Sequence, residues 1–110
     1  MYVYIAGPYT GGDVGANMAA AMTAWHDLAD QGHIPFCPHL SHFLHIHRQR
    51  PYEDWMEQGL AWLDCCDALL RLPGESSGAD REEAYATKVG MPVYHSVAEL
   101  VAREKEVHPW

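Results

Sequence analysis

Pro73-Gly74-Glu75-Ser76-Ser77-Gly78-Ala79-Asp80-Arg81-Glu82-Glu83-Ala84-Tyr85-Ala86 is the stretch from which the fold is read. It follows Ala68-Leu69-Leu70-Arg71-Leu72, an apolar run with the length and composition of a buried strand, and leads into an alanine-rich segment closed by Gly90. The order is strand, tight Gly/Ser loop, helix start. The first backbone N–H groups of a helix lack intrahelical partners and carry the positive end of its dipole, so such a junction suits an anion such as a phosphate. Arg71 and Arg81 are the cations nearest in sequence, and Glu82 falls about one turn into the helix, beside the anion position. A purely structural role fits the same residues, with Ser77 as the helix N-cap and the acidic residues decorating the first turn.

Upstream, Tyr2-Val3-Tyr4-Ile5-Ala6 is a β-prone run ending at Gly7-Pro8, and it reads as a central buried strand. Asp13 is an N-cap candidate for a helix whose Val14, Met18, Met22, Trp25 and Leu28 recur at helical spacing as core, with a stop near Gly32. His33–Cys37 predicts a second strand, at an edge because Pro35 has no N–H for the ladder. The segment from Pro38 to Pro51 reads as a long binding loop, with His39, His42 and His45 at every third position. No carboxylate or cysteine stands at a familiar ligand spacing and no HExxH occurs, so these histidines read as ligand-facing rather than as a metal site.

Downstream of that loop, Pro51 begins a helix with Trp55, Gly59, Trp62, Leu63 and Cys66 on one face, in which Gly59 marks close packing, a ligand approach or drift. Pro92–His95 makes a fourth strand, and Ser96-Val97-Ala98-Glu99 has the capping-box form for a last helix that frays before Trp110. Strands alternating with helices predict one α/β domain over 1–110, a small flavodoxin- or Rossmann-like three-layer sandwich. Its parallel sheet has four or five strands in the order 2-1-3-4. The topological switch then lies between the first and third strands, which sets Gly7–Thr10 beside Gly74–Gly78 and turns Tyr4 toward Glu82.

A chain of 110 residues, 48% hydrophobic, supports one core. A net charge of −8 disfavours a nucleic-acid polymer as partner but leaves room for a small phosphorylated ligand. No run approaches the roughly 18 apolar residues of a membrane span, and the N-terminus enters a strand without a signal-peptide pattern, so the expectation is a cytoplasmic protein. Cys37, Cys65 and Cys66, odd in number and two of them adjacent, read as reduced thiols filling a core. Four tryptophans and a long loop exceed what so small a core hides, which predicts a homodimer or higher homo-oligomer.

Tyr4-Ile5-Ala6-Gly7-Pro8-Tyr9-Thr10, the His/Pro loop, Cys66–Gly74 and Ser77-Gly78-Ala79-Asp80-Arg81-Glu82 together resemble the nucleoside 2-deoxyribosyltransferase-like superfamily. The resemblance spans nearly the whole chain and is nearest to small members related to 2′-deoxynucleoside 5′-monophosphate N-hydrolases and cytidylate N-glycosidases. It implies a nucleotide or nucleoside as ligand, no cofactor, and cleavage of the N-glycosidic bond through a covalent glycosyl-glutamate. Glu82 would be the nucleophile, Tyr4 would orient it, and Ser76, Ser77, Gly78 and Ala79 would hold the 5′-phosphate. Gly7, Pro8, Tyr9, His39 and His42 would complete the substrate site, and such sites are completed across a subunit interface. Where the family has an aspartate eight residues before Asp67, this chain has Gly59, which leaves that role to Asp54, Asp64 or a loop histidine such as His39 or His42. A nucleotide-binding or sensing module without turnover is the alternative.

Overall fold

The computed structural model describes residues 1–107; the expected fraying ahead of Trp110 lies outside the described residues. Strands β1 (Tyr2–Ala6), β2 (Ile34–Phe36), β3 (Ala68–Arg71) and β4 (Val93–Tyr94) form one sheet, and helices α1 (Val14–Asp30), α2 (Ser41–His47), α3 (Tyr52–Leu63), α4 (Ser77–Lys88) and α5 (Val97–Val107) flank it. The order is β2-β1-β3-β4 with every pair parallel. β2 is an edge, as Pro35 demands.

Period-two alternation in the two central strands builds both halves of the core. Val3, Ile5 and Leu70 point to one face, against Ala21, Ala24 and Leu28 of α1 and Leu100 of α5. Tyr4, Ala6 and Leu69 point to the other, against Leu63 of α3 and Ala79 and Ala86 of α4. Because β1 and β3 are covered on both faces, their apolar runs are nearly unbroken in sequence.

The helices follow their sequence signals, with corrections. Asp13 caps α1 by accepting from the Ala16 N–H at 3.1 Å, and Gly32, at φ +85°, takes the left-handed turn that ends it. The buried stripe of α1 is Met18, Ala21, Ala24 and Leu28, small in the middle so that the helix lies close on the sheet; Met22 is exposed. In α3 the buried residues are Met56, Gly59 and Leu63, while Trp62 is exposed and Cys66 lies past the helix end. Only Cys37 of the three free thiols is buried, and Cys65 is exposed.

The segment after Pro38 is not a long loop. A 3-10 turn over Pro38–Leu40 runs into α2, none of whose residues is buried. The helix after β3 is capped by Ser76, not Ser77: Ser76 has extended backbone and its Oγ accepts from the Ala79 N–H at 3.1 Å. At the last helix, Ser96 Oγ accepts from the Glu99 N–H at 3.0 Å, and the Glu99 carboxylate reaches the His95 N–H at 3.1 Å.

The cap assignment is tested by two alanines. Ser76→Ala should cost about 1 kcal/mol of stability in urea denaturation, and Ser77→Ala less than about 0.5 kcal/mol, because only the first removes a bond to an orphan amide.

Candidate active site

Ala6 and Arg71 are paired at the carboxyl ends of β1 and β3, so the loops leaving them run side by side at the switch point of the sheet. Two glycines let them touch. A Cβ on Gly7 would stand 2.9 Å from Leu72 Cβ, and one on Gly74, at φ +113°, would stand 2.7 Å from Pro8 Cγ. Buried His39 donates from Nε2 to the Pro8 carbonyl at 3.0 Å, and burial lowers its pKa so that the ring is neutral.

Arg71 binds the second loop to its helix. Its guanidinium donates to the carbonyls of Leu72 at 2.7 Å and Gly74 at 3.0 Å, pairs with Asp80 at 3.0 Å and approaches Glu83 at 3.5 Å. It is therefore an internal brace of the loop, not the ligand-facing cation expected from sequence. Arg81 is spent as well, on Glu53 at 2.8 Å.

At the floor of the site the Tyr4 hydroxyl donates to Glu82 Oε2, and both residues are buried. Burial pushes the Glu82 carboxyl up to about 7, against the opposing pull of the Tyr4 hydrogen bond and the Arg71 charge. Burial, then the neighbouring carboxylate, holds the Tyr4 hydroxyl well above its ordinary pKa, so it remains a donor. Gly59 supplies the space for this pair: a Cβ there would lie 2.7 Å from Tyr4 Oη and 3.2 Å from Glu82 Oε2. Of the three explanations for a glycine inside α3, close packing is the one that applies. Phe36 backs the Tyr4 ring at 5.6 Å and stacks on Trp62 at 5.0 Å.

Above the pair opens a cavity of about 620 Å³, within the size range of small-molecule sites. Tyr4, Glu82, Gly7, Tyr9, His39, Ser76, Ser77, Gly78 and Ala79 all line it. Pro8 and His42 do not; Pro8 packs on Gly74 and accepts from His39, while His42 Nδ1 shares a hydrogen bond with the Tyr9 hydroxyl. Asp54 and Asp64 are absent from the wall too, the first near Arg50 at 3.7 Å and the second accepting from the Tyr85 hydroxyl.

The cavity is also lined by His45 of α2, one of the three histidines read as ligand-facing, and by residues not singled out as lining from sequence: Arg50, and Tyr52, Trp55 and Met56 of α3. His45 Nδ1 accepts from Trp55 Nε1–H at 2.8 Å and from the Arg50 backbone N–H at 3.3 Å. The one available signal was the histidine triplet, which does not distinguish His45 from His39 and His42. Among the described residues no group of three or more His, Cys, Asp or Glu side chains is disposed to hold a metal ion.

Residues 1–96 match the family described as Domain of unknown function (DUF7768), and the chain belongs to that family. No curated protein matches it.

Gly59→Ala tests the packing at the floor. It should destabilise the protein by about 1–3 kcal/mol through overpacking, although alanine is the better helix former. In a Tyr4→Phe background the 2.7 Å clash is gone, so the same substitution should cost measurably less; denaturation of the four variants gives the coupling.

Proposed function

We propose that the protein is an N-glycosidase or 2-deoxyribosyltransferase acting on nucleoside 5′-monophosphates or nucleosides, with Glu82 as nucleophile. The observation that carries this reading is the buried Tyr4–Glu82 pair at the floor of a cavity whose rim includes the amino end of α4. The resemblance of the strand-one, loop and helix motifs to nucleoside 2-deoxyribosyltransferases supports it, and so does the cavity volume.

In the reaction, ionised Glu82 attacks the anomeric carbon as the bond to the base breaks and the bonding electron pair leaves with the base. The transition state is oxocarbenium-like and the product is a glycosyl ester. Water, or a second base in a transfer, then attacks the same carbon, the ester bond to Glu82 breaks, and the carboxylate is restored with net retention. Tyr4 directs one carboxylate oxygen so that the other is free to attack. The amides at the start of α4 and the Ser76-Ser77-Gly78 loop hold the phosphate, which positions the sugar through a contact remote from the reacting bond.

A second copy of the chain is the partner in this reading. Phe43, Leu44 and Ile46 of α2 are 64%, 63% and 65% exposed, and Leu40 and Trp62 are exposed too. A groove of about 900 Å³ between α2 and α3 has Leu40, Leu44, His47 and Arg48 on one wall and Asp54, Glu57 and Trp62 on the other. Exposed apolar side chains with charged residues around them suit a two-fold contact between copies. The three free thiols fit the reducing cytoplasm. No helix among the described residues is long and apolar enough to cross a membrane.

Glu82→Gln should abolish release of free base from deoxynucleoside monophosphates by orders of magnitude while leaving their binding intact, and Glu83→Gln should retain release. Wild-type release should rise with pH through about 7 as Glu82 ionises. The linkage runs oppositely for stability. A carboxyl raised from 4.5 to about 7 on folding stabilises while protonated, and this contribution is lost as pH rises through that window. Glu82→Gln should remove that loss. Binding without base release in the wild type would leave the sensing module as the function.

Light scattering at micromolar concentration should give twice the chain mass or more, and Leu44→Glu should lower it to one.

A further inference from the structure

We propose that His45 is the residue that engages the departing base, by donating a hydrogen bond from Nε2–H to an unprotonated ring nitrogen or a carbonyl oxygen on the base edge. The inference deepens the glycosidase reading above and rests on it. Breaking the bond to the sugar leaves an electron pair on the base, so a donor aimed at the base is worth more in the transition state than before it.

The other ring-borne donors of the cavity are engaged, except the Tyr52 hydroxyl, which lies beside Gly78 at the phosphate loop and away from the base position. Tyr4 donates to Glu82, His39 donates from Nε2 to Pro8, and the Tyr9 hydroxyl is paired with His42. No carboxyl at position 59 is there to serve, and Asp54 and Asp64 do not line the cavity. His45 does line it, and it is held in one form.

Two N–H groups, from Trp55 at 2.8 Å and Arg50 at 3.3 Å, both point at Nδ1. An acceptor of two donors carries no proton, so the proton of the neutral ring is on Nε2. The Trp55 and His45 rings meet edge to face, 5.7 Å apart, and a ring flip would break both bonds. Trp55 and Arg50 thus fix a hydrogen-bond donor on the opposite edge of the imidazole.

A neutral imidazole acts here as an electrophile and keeps its proton. The proton that finally neutralises the base comes from water. The ligand class follows: a heteroaromatic base presenting an acceptor at that edge is favoured over one presenting only N–H or amino groups there, because two facing donors are left unpaired.

Single-turnover release is measured for wild type, His45→Phe and His45→Gln with the four common 2′-deoxynucleoside 5′-monophosphates and with 4-nitrophenyl 2-deoxyribofuranoside 5-phosphate. Nitrophenolate is a stable anion and needs little help to leave. His45→Phe should slow release of the preferred base about 100-fold and nitrophenolate release less than about threefold. His45→Gln, which can accept from Trp55 and donate to the base, should recover about tenfold of that loss. If His45→Phe slows both substrates equally, or releases base at the wild-type rate, the inference is overturned while the glycosidase reading stands. If the wild type releases base from none of the four, the glycosidase reading falls and this inference falls with it.

Discussion

The hydrogen bond from Tyr4 to Glu82 joins the middle of the innermost strand to the first turns of α4, across an interior that has no room for a side chain at Gly59. Three elements must be in register for it to form. β1 has to present Tyr4 on the α3/α4 face, which a one-residue slip would reverse. α4 has to start at Ser77, so that Glu82 and not Glu83 faces inward. α3 has to lie close enough that only a glycine fits. An ionisable group out of water is costly unless something satisfies it, so the pair both demands this packing and is held by it.

The loops are organised by the same logic. Arg71 sits at the end of a buried strand and would be an unfavourable charge there on its own. Two backbone carbonyls, Asp80 and Glu83 surround it, and the turn between β3 and α4 is shaped by that ring of acceptors. Opposite, His39 fixes Pro8, which in turn rests on Gly74. The cavity is therefore walled by two loops that are each tied to a buried side chain.

The sheet was legible in the sequence because β1 and β3 are covered on both faces and their apolar runs are almost continuous, and Pro35 marked the edge. The Tyr4–Glu82 juxtaposition followed from strand order and helix phase. What could not be read has identifiable causes. α2 buries no residue, so Phe43, Leu44 and Ile46 carry no periodicity toward a core and the segment reads as loop. Ser76 and Ser77 are chemically equal caps, and only the extended backbone at Ser76 separates them. Arg71 resembles a ligand-facing cation until its tertiary acceptors are seen. His39, His42 and His45 share one spacing, yet one holds a loop carbonyl, one meets Tyr9 and one meets Trp55, because their roles depend on residues from other elements.

A carboxylate with a pKa near 7 looks like a poor nucleophile, since near neutrality about half of it is protonated. In the proposed reaction that same burial works in its favour. Desolvation outweighs the Tyr4 hydrogen bond and the Arg71 charge, so the anion of Glu82 is poorly stabilised in the resting state. As the glycosidic bond stretches, positive charge develops on the sugar within contact distance, in surroundings of low dielectric where opposite charges attract strongly. The interaction is thus larger in the transition state than before it, which is the condition for catalysis rather than tight binding. A solvated glutamate at the same place would be fully ionised at neutral pH and would lose most of that difference to water. In the proposed reaction the burial of Glu82, which requires Gly59 and the Tyr4 hydroxyl, would be the source of its reactivity and not merely a structural cost.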